Sequence, residues 1–379
     1  MIAYLDNAAT TRVWPQAAQA ASEAMTEGYF NPSSRYPEAA KAAKALESHR
    51  AAVAKALGCS PKEVFFTSCG TESDNWAIRS GVEYGRRKGK HIITTAIEHH
   101  AVLEPIWDLE RQGYEVTYLK PTPQGTIDLQ ELEQALRPDT VLVSMMLVNN
   151  ELGTLLPVKE AAQLIRRSGA PALLHCDAVQ GFLKVPFTPQ ELGVDLLSIS
   201  GHKVHAPKGI GALYIRSGLK LKPFLMGGGQ ESGLRSGTEP TAQIAAFAKA
   251  CELGLQRREA DIAHMKELKE YTLSRIAAEV PQVTPVVLGD APHVLALTME
   301  GYKSEVLVRV LGDRGICVSA GSACHRGKPS HVYAALELSK PRRDGAFRVS
   351  FCGDSTREEV DQLMDGLKFA ADTLFPSMS

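Results

Sequence analysis

Short apolar segments alternate with longer amphipathic ones through the first two thirds of this chain. The strand-like segments are residues 63–67, 91–96, 141–148, 172–175 and 195–200. Helical patterns of ten or more residues separate many of them, for example over residues 100–112 and 158–168. Parallel strands need such long connections, which are usually helices with a right-handed crossover. The alternation therefore predicts an α/β fold built on a mainly parallel sheet.

The last third of the chain follows a different pattern. Residues 241–278 predict one long helix, because Ile244, Phe247 and Cys251 recur every three or four positions. Later strands at 294–299 and 347–351, with helices at 303–313 and 356–373, predict a smaller α+β unit. A chain of 379 residues fits two domains. We predict a large domain over residues 15–256 and a small domain formed by residues 1–14 and 257–379.

Charge, apolar runs and cysteine spacing exclude several classes of protein. Lys plus Arg number 42 and Asp plus Glu 43, a balance that argues against a protein neutralising nucleic-acid phosphates. The longest apolar run, near residues 141–148, is too short to span a membrane, and we expect no signal peptide. The seven cysteines are scattered without a Cys-x-x-Cys pair. We therefore predict neither a disulfide framework nor a metal site. We expect the protein to be located in a reducing cytoplasm.

Polar residues follow three of the predicted strands, where ligands bind in open parallel sheets. Gly70 and Thr71 form a small-residue turn into a helix, which is either an anion site or an ordinary helix cap. Asp177 either pairs with a heterocyclic N–H group or caps a helix. Lys203 in a Gly-flanked loop either uses its amine or extends it to solvent. The ordered set of phosphate site, acid and lysine matches the needs of pyridoxal phosphate.

Longer motifs accompany these residues along nearly the whole chain. They include Asp177-Ala178-Val179-Gln180, Ser200-Gly201-His202-Lys203, Arg235-Ser236-Gly237-Thr238 and Ser319-Ala320-Gly321-Ser322-Ala323-Cys324. With these motifs the chain resembles the cysteine desulfurases of the class-V aminotransferase superfamily, of the bacterial iron–sulfur-cluster type. The resemblance implies a pyridoxal-phosphate-dependent transferase of fold type I, with a seven-stranded sheet in its large domain. It also implies a homodimer that converts L-cysteine to L-alanine and passes sulfur to an acceptor protein for iron–sulfur cluster assembly.

The resemblance also implies the roles of individual residues in holding the cofactor. Lys203 is the Schiff-base lysine, and His99 stacks on the pyridine ring. Thr238 reaches the phosphate bound by the neighbouring subunit. The other cofactor-binding residues that it implies are Asp177 at the pyridine nitrogen, Gln180 and Asn150 near the ring hydroxyl, and Gly70, Thr71, Ser200 and His202 at the phosphate.

A second group of residues is implied to bind the substrate and to transfer sulfur. By the same resemblance Arg348 binds the substrate carboxylate, with Asn150 and Asn31 as further substrate contacts. A guanidinium suits this role because it forms a bidentate pair with a carboxylate. Cys324 is the nucleophile that receives sulfur as a persulfide, and Lys203 and His99 are the other catalytic residues. We treat Cys69, in the phosphate turn, as a spectator.

The surroundings of Cys324 in the sequence agree with a nucleophile. His325, Arg326 and Lys328 follow it, and nearby cations favour the reactive thiolate. The segment is rich in small residues, so we expect it to move during the reaction.

The sequence leaves other functions open. A selenocysteine lyase needs nearly the same site, and another class-V aminotransferase would share the fold without needing Cys324. A non-catalytic binding protein is disfavoured because Lys203, Asp177 and Cys324 are all retained. The identity of the sulfur acceptor, and whether a scaffold protein docks, also stay open.

Overall fold

The computed structural model describes residues 2–320 and 330–375. Within these residues the strands are β1 (Ala3–Tyr4), β2 (Val64–Thr67), β3 (His91–Thr95), β4 (Glu115–Leu119), β5 (Thr140–Ser144), β6 (Leu173–Asp177), β7 (Leu196–Ser200), β8 (Gly211–Ile215), β9 (Val283–Pro285), β10 (Val294–Met299), β11 (Ile316–Cys317) and β12 (Ala346–Ser350). The α-helices are α1 (Pro15–Thr26), α2 (Pro37–Leu57), α3 (Gly70–Gly85), α4 (His100–Arg111), α5 (Leu129–Ala135), α6 (Val158–Ser168), α7 (Pro189–Leu192), α8 (Thr241–Glu279), α9 (Ser304–Asp313), α10 (His331–Ala335), α11 (Lys340–Asp344) and α12 (Arg357–Thr373).

Seven of these strands form the central sheet, in the order β2-β8-β7-β6-β5-β3-β4. Neighbouring strands are parallel except at β8, which runs antiparallel to both β2 and β7. The predicted mainly parallel, seven-stranded sheet is therefore confirmed. Because β8 alone is reversed, the carboxyl ends of β2, β3, β5, β6 and β7 lie at one edge of the sheet.

The strand predicted over residues 141–148 is shorter in the structure, since β5 ends at Ser144. Beyond it the chain stays beside β6 in an irregular form. The N–H groups of Met145 and Leu147 donate to the carbonyls of His175 and Asp177 at 3.1 and 2.9 Å. This segment is apolar because it is buried, and burial alone does not distinguish a strand from an irregular segment.

The chain's two ends meet in a second, smaller core. β1 pairs with β11, and an antiparallel sheet has the order β12-β10-β9. Leu5 packs in the same buried cluster as Phe347 and Leu363. The 39-residue helix α8 contributes Phe247 to the first core and Leu268 to the second. The α+β character predicted for this part is present, while the domain limits at residues 14 and 256 stay predictions.

Among the described helices, none combines the length and apolar character needed to cross a membrane.

Candidate active site

A cavity of about 200 Å³ lies at the edge where the carboxyl ends of the parallel strands meet. Most of the site residues predicted from the sequence line it: Gly70, Thr71, His99, Asn150, Asp177, Gln180, Ser200, His202, Lys203 and Arg348. They come from segments far apart in the sequence and from both cores. The fold therefore brings into one cavity the side chains that were predicted from the sequence to form one site.

One wall of the cavity is the turn between β2 and α3. Helix α3 begins at Gly70, so its first backbone N–H groups have no partner within the helix and favour an anion. A Cβ atom at Gly70 would lie only 2.9 Å from Val179 Cγ2, so the close approach of these segments requires glycine. The buried Ser200 hydroxyl has no hydrogen-bond partner among the described residues. This wall has the unused donors that a phosphate group needs.

Asp177 ends β6 and is only 7% exposed. Its Oδ1 accepts a hydrogen bond from the Val179 N–H group at 2.9 Å. Burial, together with the nearby Asp74 carboxyl, raises the pKa of Asp177 to about 7. A buried acid of this kind gains most from a cationic N–H partner, such as a protonated pyridine nitrogen.

Lys203 closes the short 3-10 turn Gly201–Lys203 that follows β7. Its amine donates to the backbone carbonyls of Ala8 and Ala9, each at 2.7 Å. These carbonyls belong to the segment that follows β1, so the chain's amino-terminal part covers the lysine. The amine is thereby held in the cavity rather than extended to solvent, the alternative left open by the sequence.

Two further side chains have orientations set by backbone contacts. His99 caps α4, and its Nδ1 accepts from the Ala101 N–H group at 3.1 Å. This bond places the proton of a neutral ring on Nε2. Gln180 donates from Nε2 to the Ala8 carbonyl at 2.8 Å, and its buried Oε1 has no donor among the described residues. Gln180 therefore offers an acceptor to a ligand.

Arg348 lies on β12 and is 2% exposed. Its Nη1 donates to the Asn150 carbonyl at 2.8 Å, and its Nη2 forms an ion pair with Asp6 Oδ1 at 2.9 Å. Its Nε has no acceptor within the described part of the chain. A buried guanidinium that keeps an unused N–H group can bind a carboxylate.

Three predicted site residues are not part of this cavity as described. Thr238 is exposed in the loop before α8, and Asn31 is exposed in the loop between α1 and α2. Cys324 lies outside the described residues. The predicted roles of these three residues stay predictions.

Several lining residues were not singled out from the sequence. Ala8 and Ala9 contribute carbonyl groups, which no side-chain pattern reveals. Asp74 is a buried acid on α3, facing the sheet beside Gly70 and Ala77. An acidic residue on the apolar face of a helix is a signal that could have identified it. Cys69, expected to be a spectator, also lines the cavity, although its thiol makes only a long contact with Ser68 Oγ at 3.6 Å.

Comparison with known proteins agrees with this geometry. The family model "Aminotransferase class-V" matches residues 3–363. A cysteine desulfurase of Trichormus azollae is 40% identical over 368 residues, which is 96% of this chain and 91% of the relative. Cysteine desulfurase IscS of Clostridium botulinum strain Hall is 37% identical over 370 residues, covering 96% and 93%.

Solved structures of similar proteins agree with these sequence comparisons. A NifS-like protein has a TM-score of 0.93 and 36% identity, with 99% of this chain and 100% of that chain covered. A structure described as SspA in complex with cysteine has a TM-score of 0.80 and 33% identity, covering 93% and 99%. Fold and site thus define a class-V aminotransferase, a pyridoxal-phosphate-dependent class of enzyme. Within that class, the chain belongs to the cysteine desulfurase family.

The residues of the cavity fit pyridoxal phosphate. Unused donors lie at the start of α3 and at Ser200, and the buried acid Asp177 lies at the end of the neighbouring strand β6. The Lys203 amine is in the same cavity. These groups match, respectively, a phosphate, a pyridine nitrogen and an aldehyde.

Proposed function

We propose that this protein takes the sulfur atom from L-cysteine and stores it on Cys324 as a persulfide. The C–S bond of cysteine breaks, an S–S bond forms with the Cys324 thiol, and L-alanine leaves. The proposal rests on one observation: Lys203, Asp177 and Arg348 line the same cavity. Of the alternatives, a selenocysteine lyase would differ mainly in its substrate, and a class-V aminotransferase would not need Cys324.

The cofactor is held, in this proposal, by the residues that line the cavity. The first turn of α3 and the hydroxyl of Ser200 bind the phosphate, with His202 beside them. Asp177 binds the pyridine nitrogen, and Gln180 and Asn150 lie near the ring hydroxyl. When bound, pyridoxal phosphate accepts the negative charge that develops at the substrate Cα atom.

The chain's own groups then bind the amino acid and move its protons. Arg348 orients the substrate through its carboxylate, and its ion pair with Asp6 holds the guanidinium in place. Lys203 removes the Cα proton, since its amine is fixed in the cavity by the Ala8 and Ala9 carbonyls. His99, with its proton on Nε2, is placed to transfer a proton near the ring.

The position of Cys324 along the chain supports its proposed role. Ser319 exchanges two backbone hydrogen bonds with Arg348, at 2.7 and 3.1 Å. Ser330 donates from Oγ to Glu151 Oε2 at 2.6 Å, next to Asn150. The described residues on both sides of Cys324 are therefore anchored at the cavity wall. Four residues separate Ser319 from Cys324 and five separate Cys324 from Ser330, and a segment of that length spans up to roughly 15 Å. This length supports a position of Cys324 near the cavity.

A turnover assay tests the proposed function. Purified protein with pyridoxal phosphate should release alanine from L-cysteine, with sulfide appearing in equal amount when a thiol reductant is present. L-selenocysteine, assayed in parallel, decides between the two lyase reactions. Alanine formed only when a keto acid is supplied would identify an aminotransferase and contradict the proposal.

The guanidinium of Arg348 gives a specific kinetic prediction. Replacing Arg348 with lysine should raise KM for cysteine about tenfold, or ~1.4 kcal/mol, because a lysine amine cannot form the bidentate pair. The turnover number should fall less than KM rises. Steady-state alanine release measures both, with the exposed Arg357→Lys as the matched control. An unchanged KM would remove Arg348 from the substrate site.

We further propose that the protein is a homodimer whose sites are shared between subunits. Thr238 is exposed and follows the Gly-rich segment that starts at Gly227, directly after Met226, which is 90% exposed. An exposed apolar side chain beside a predicted cofactor contact supports an interface there. The sulfur acceptor is a second protein partner, and a reducing cytoplasm is the proposed location because the six cysteines that the structure describes are all free thiols.

Mixing two inactive variants tests the shared site. Lys203→Ala lacks the lysine, and Thr238→Glu places a negative charge where a phosphate is proposed to bind. After subunit exchange half of the dimers are mixed, and one of their two sites is intact, so about a quarter of wild-type activity should return. Absence of any recovery, together with an active monomer on analytical ultracentrifugation, would contradict the shared site.

A further inference from the structure

Three carboxyl groups are buried in or beside the cavity, although the proposed chemistry uses only one of them. Asp74, Glu98 and Asp177 are 1%, 0% and 7% exposed. They repel one another when ionised, since Asp74 raises the pKa of Asp177 and both raise that of Glu98. Three buried negative charges at one place would be strongly destabilising. The structure must therefore keep some of these groups protonated.

A hydrogen-bond network links Asp74 to the strand that carries Asp177. His175 lies two residues before Asp177 on β6, and so on the same face of the sheet. Its Nδ1 lies 2.8 Å from Ser144 Oγ, and its Nε2 lies 3.0 Å from Ser198 Oγ. The same Nε2 lies 3.5 Å from Asp74 Oδ1. The network thus spans β5, β6, β7 and α3 beneath the cavity.

The partners of Asp74 indicate where its proton lies. Within the described chain, Asp74 Oδ1 has no hydrogen-bond donor. An ionised carboxylate would leave this buried oxygen without compensation. A protonated Asp74 instead carries its proton on this oxygen, and the Ser198 hydroxyl hydrogen-bonds to the same carboxyl group.

We propose that Asp74 is a positioning residue that stays protonated at neutral pH, so that Asp177 carries the negative charge at the cofactor. The proposal rests on the proposed function for the role of Asp177, but the protonation of Asp74 can be measured without it. Asp74 would act through His175 and through Asp177 rather than by touching the substrate.

The electrostatic surroundings favour this distribution of protons. Burial raises the pKa of Asp74 to about 7 and lowers that of His175 to about 4, so the proton lies on the acid. The pKa of Asp177 is lowered in turn by the Val179 N–H group and by Lys203, whereas Asp74 has only a Ser198 hydrogen bond to lower its own. Of this coupled pair, Asp177 ionises first because its Oδ1 accepts a hydrogen bond from the Val179 N–H group at 2.9 Å, whereas Asp74 Oδ1 has no donor within the described chain.

The neighbouring titratable groups do not reverse this order. Glu98 follows β3, and burial raises its pKa well above the ordinary value, which favours its neutral form. His99 and Lys203 line the same cavity as Asp74. Lys203 is a cation facing Asp177, which strengthens the preference for charge on Asp177.

Two substitutions of Asp74 separate its charge from its hydrogen bonds. Asp74→Ala removes the carboxyl group together with its hydrogen bond to Ser198, and should weaken binding of pyridoxal phosphate to the apo-protein about tenfold at neutral pH. Asp74→Asn keeps a neutral side chain of the same shape with an acceptor for Ser198, and should restore affinity to within about threefold of wild type. The exposed Asp372→Asn is the matched control. If Asp74→Asn bound pyridoxal phosphate as weakly as Asp74→Ala, the charge would be needed and the proposal would be overturned. An Asp74→Ala protein with wild-type affinity would also overturn it.

Infrared spectroscopy of the apo-protein tests the protonation directly. At neutral pH the wild type should have a protonated carboxyl C=O band that Asp74→Asn lacks and Asp372→Asn retains. Nitrogen-15 NMR should show His175 neutral. Absence of a band difference would overturn the proposal regardless of catalysis. Failure of the wild type to bind pyridoxal phosphate would instead contradict the proposed function.

Discussion

Replacing Lys203 with alanine is expected to abolish alanine release, with a loss of at least ~10³-fold. The lysine amine is proposed both to bond covalently to the cofactor and to move the Cα proton, and loss of an acid–base group alone costs about 10²–10⁴-fold. The Ala8 and Ala9 carbonyls, which accept the amine's hydrogen bonds at 2.7 Å, lose their partner as well. Steady-state alanine formation from cysteine measures the loss.

Reduction with borohydride provides an independent readout. Treated wild-type protein should retain the cofactor on the peptide containing Lys203 after proteolysis, and the variant should retain none. Lys184→Arg, a substitution of another buried lysine that lines a small neighbouring cavity together with Lys203, serves as a control for general damage. A Lys203→Ala protein that still yielded a cofactor-labelled peptide would show that another lysine holds the aldehyde.

Replacing Cys324 with serine is expected to reduce alanine release about a thousandfold while leaving substrate binding intact. A serine hydroxyl cannot accept sulfur to form a persulfide, and removing a nucleophile costs a large part of the rate. Lys203 and Arg348 are unchanged in this variant. The Cα proton of cysteine should therefore still exchange with deuterated water, which proton NMR detects.

The exchange assay separates loss of the nucleophile from loss of the site. Cys59→Ser, at a partly buried cysteine that does not line the cavity, is the control and should behave as wild type. If Cys324→Ser lost deuterium exchange along with alanine release, the substitution would have damaged substrate binding instead. If it released alanine at the wild-type rate, the protein would not transfer sulfur through this cysteine.

Much of the fold could be predicted from the sequence because hydrophobic period and segment length determine helices and buried strands. The helix predicted over residues 158–168 and the strand over 294–299 match the structure. The strands β4 and β8 were not identified. β4 lies at the edge of the sheet and is only partly buried, so its apolar pattern is weak. The reversed direction of β8 follows from its pairing with β2 and β7, which local sequence does not encode.

The candidate site was predicted unevenly, for a physical reason. Residues with distinctive side chains at strand ends, such as Lys203 and Asp177, could be singled out because their chemistry is unusual there. The Ala8 and Ala9 carbonyls could not, because any residue supplies a carbonyl and only the fold brings it to Lys203. Asp74 went unremarked because its importance depends on the neighbours it meets across the sheet.

Mass spectrometry of the Cys324 peptide tests the central claim most directly. Wild-type protein is mixed with pyridoxal phosphate and less than one equivalent of L-cysteine without reductant, quenched by alkylation, and digested. We expect one additional sulfur atom on Cys324, in equal amount to the alanine released, and none on Cys69 or in the Lys203→Ala protein. Alanine released in equal amount to free sulfide, with no sulfur on Cys324, would contradict it.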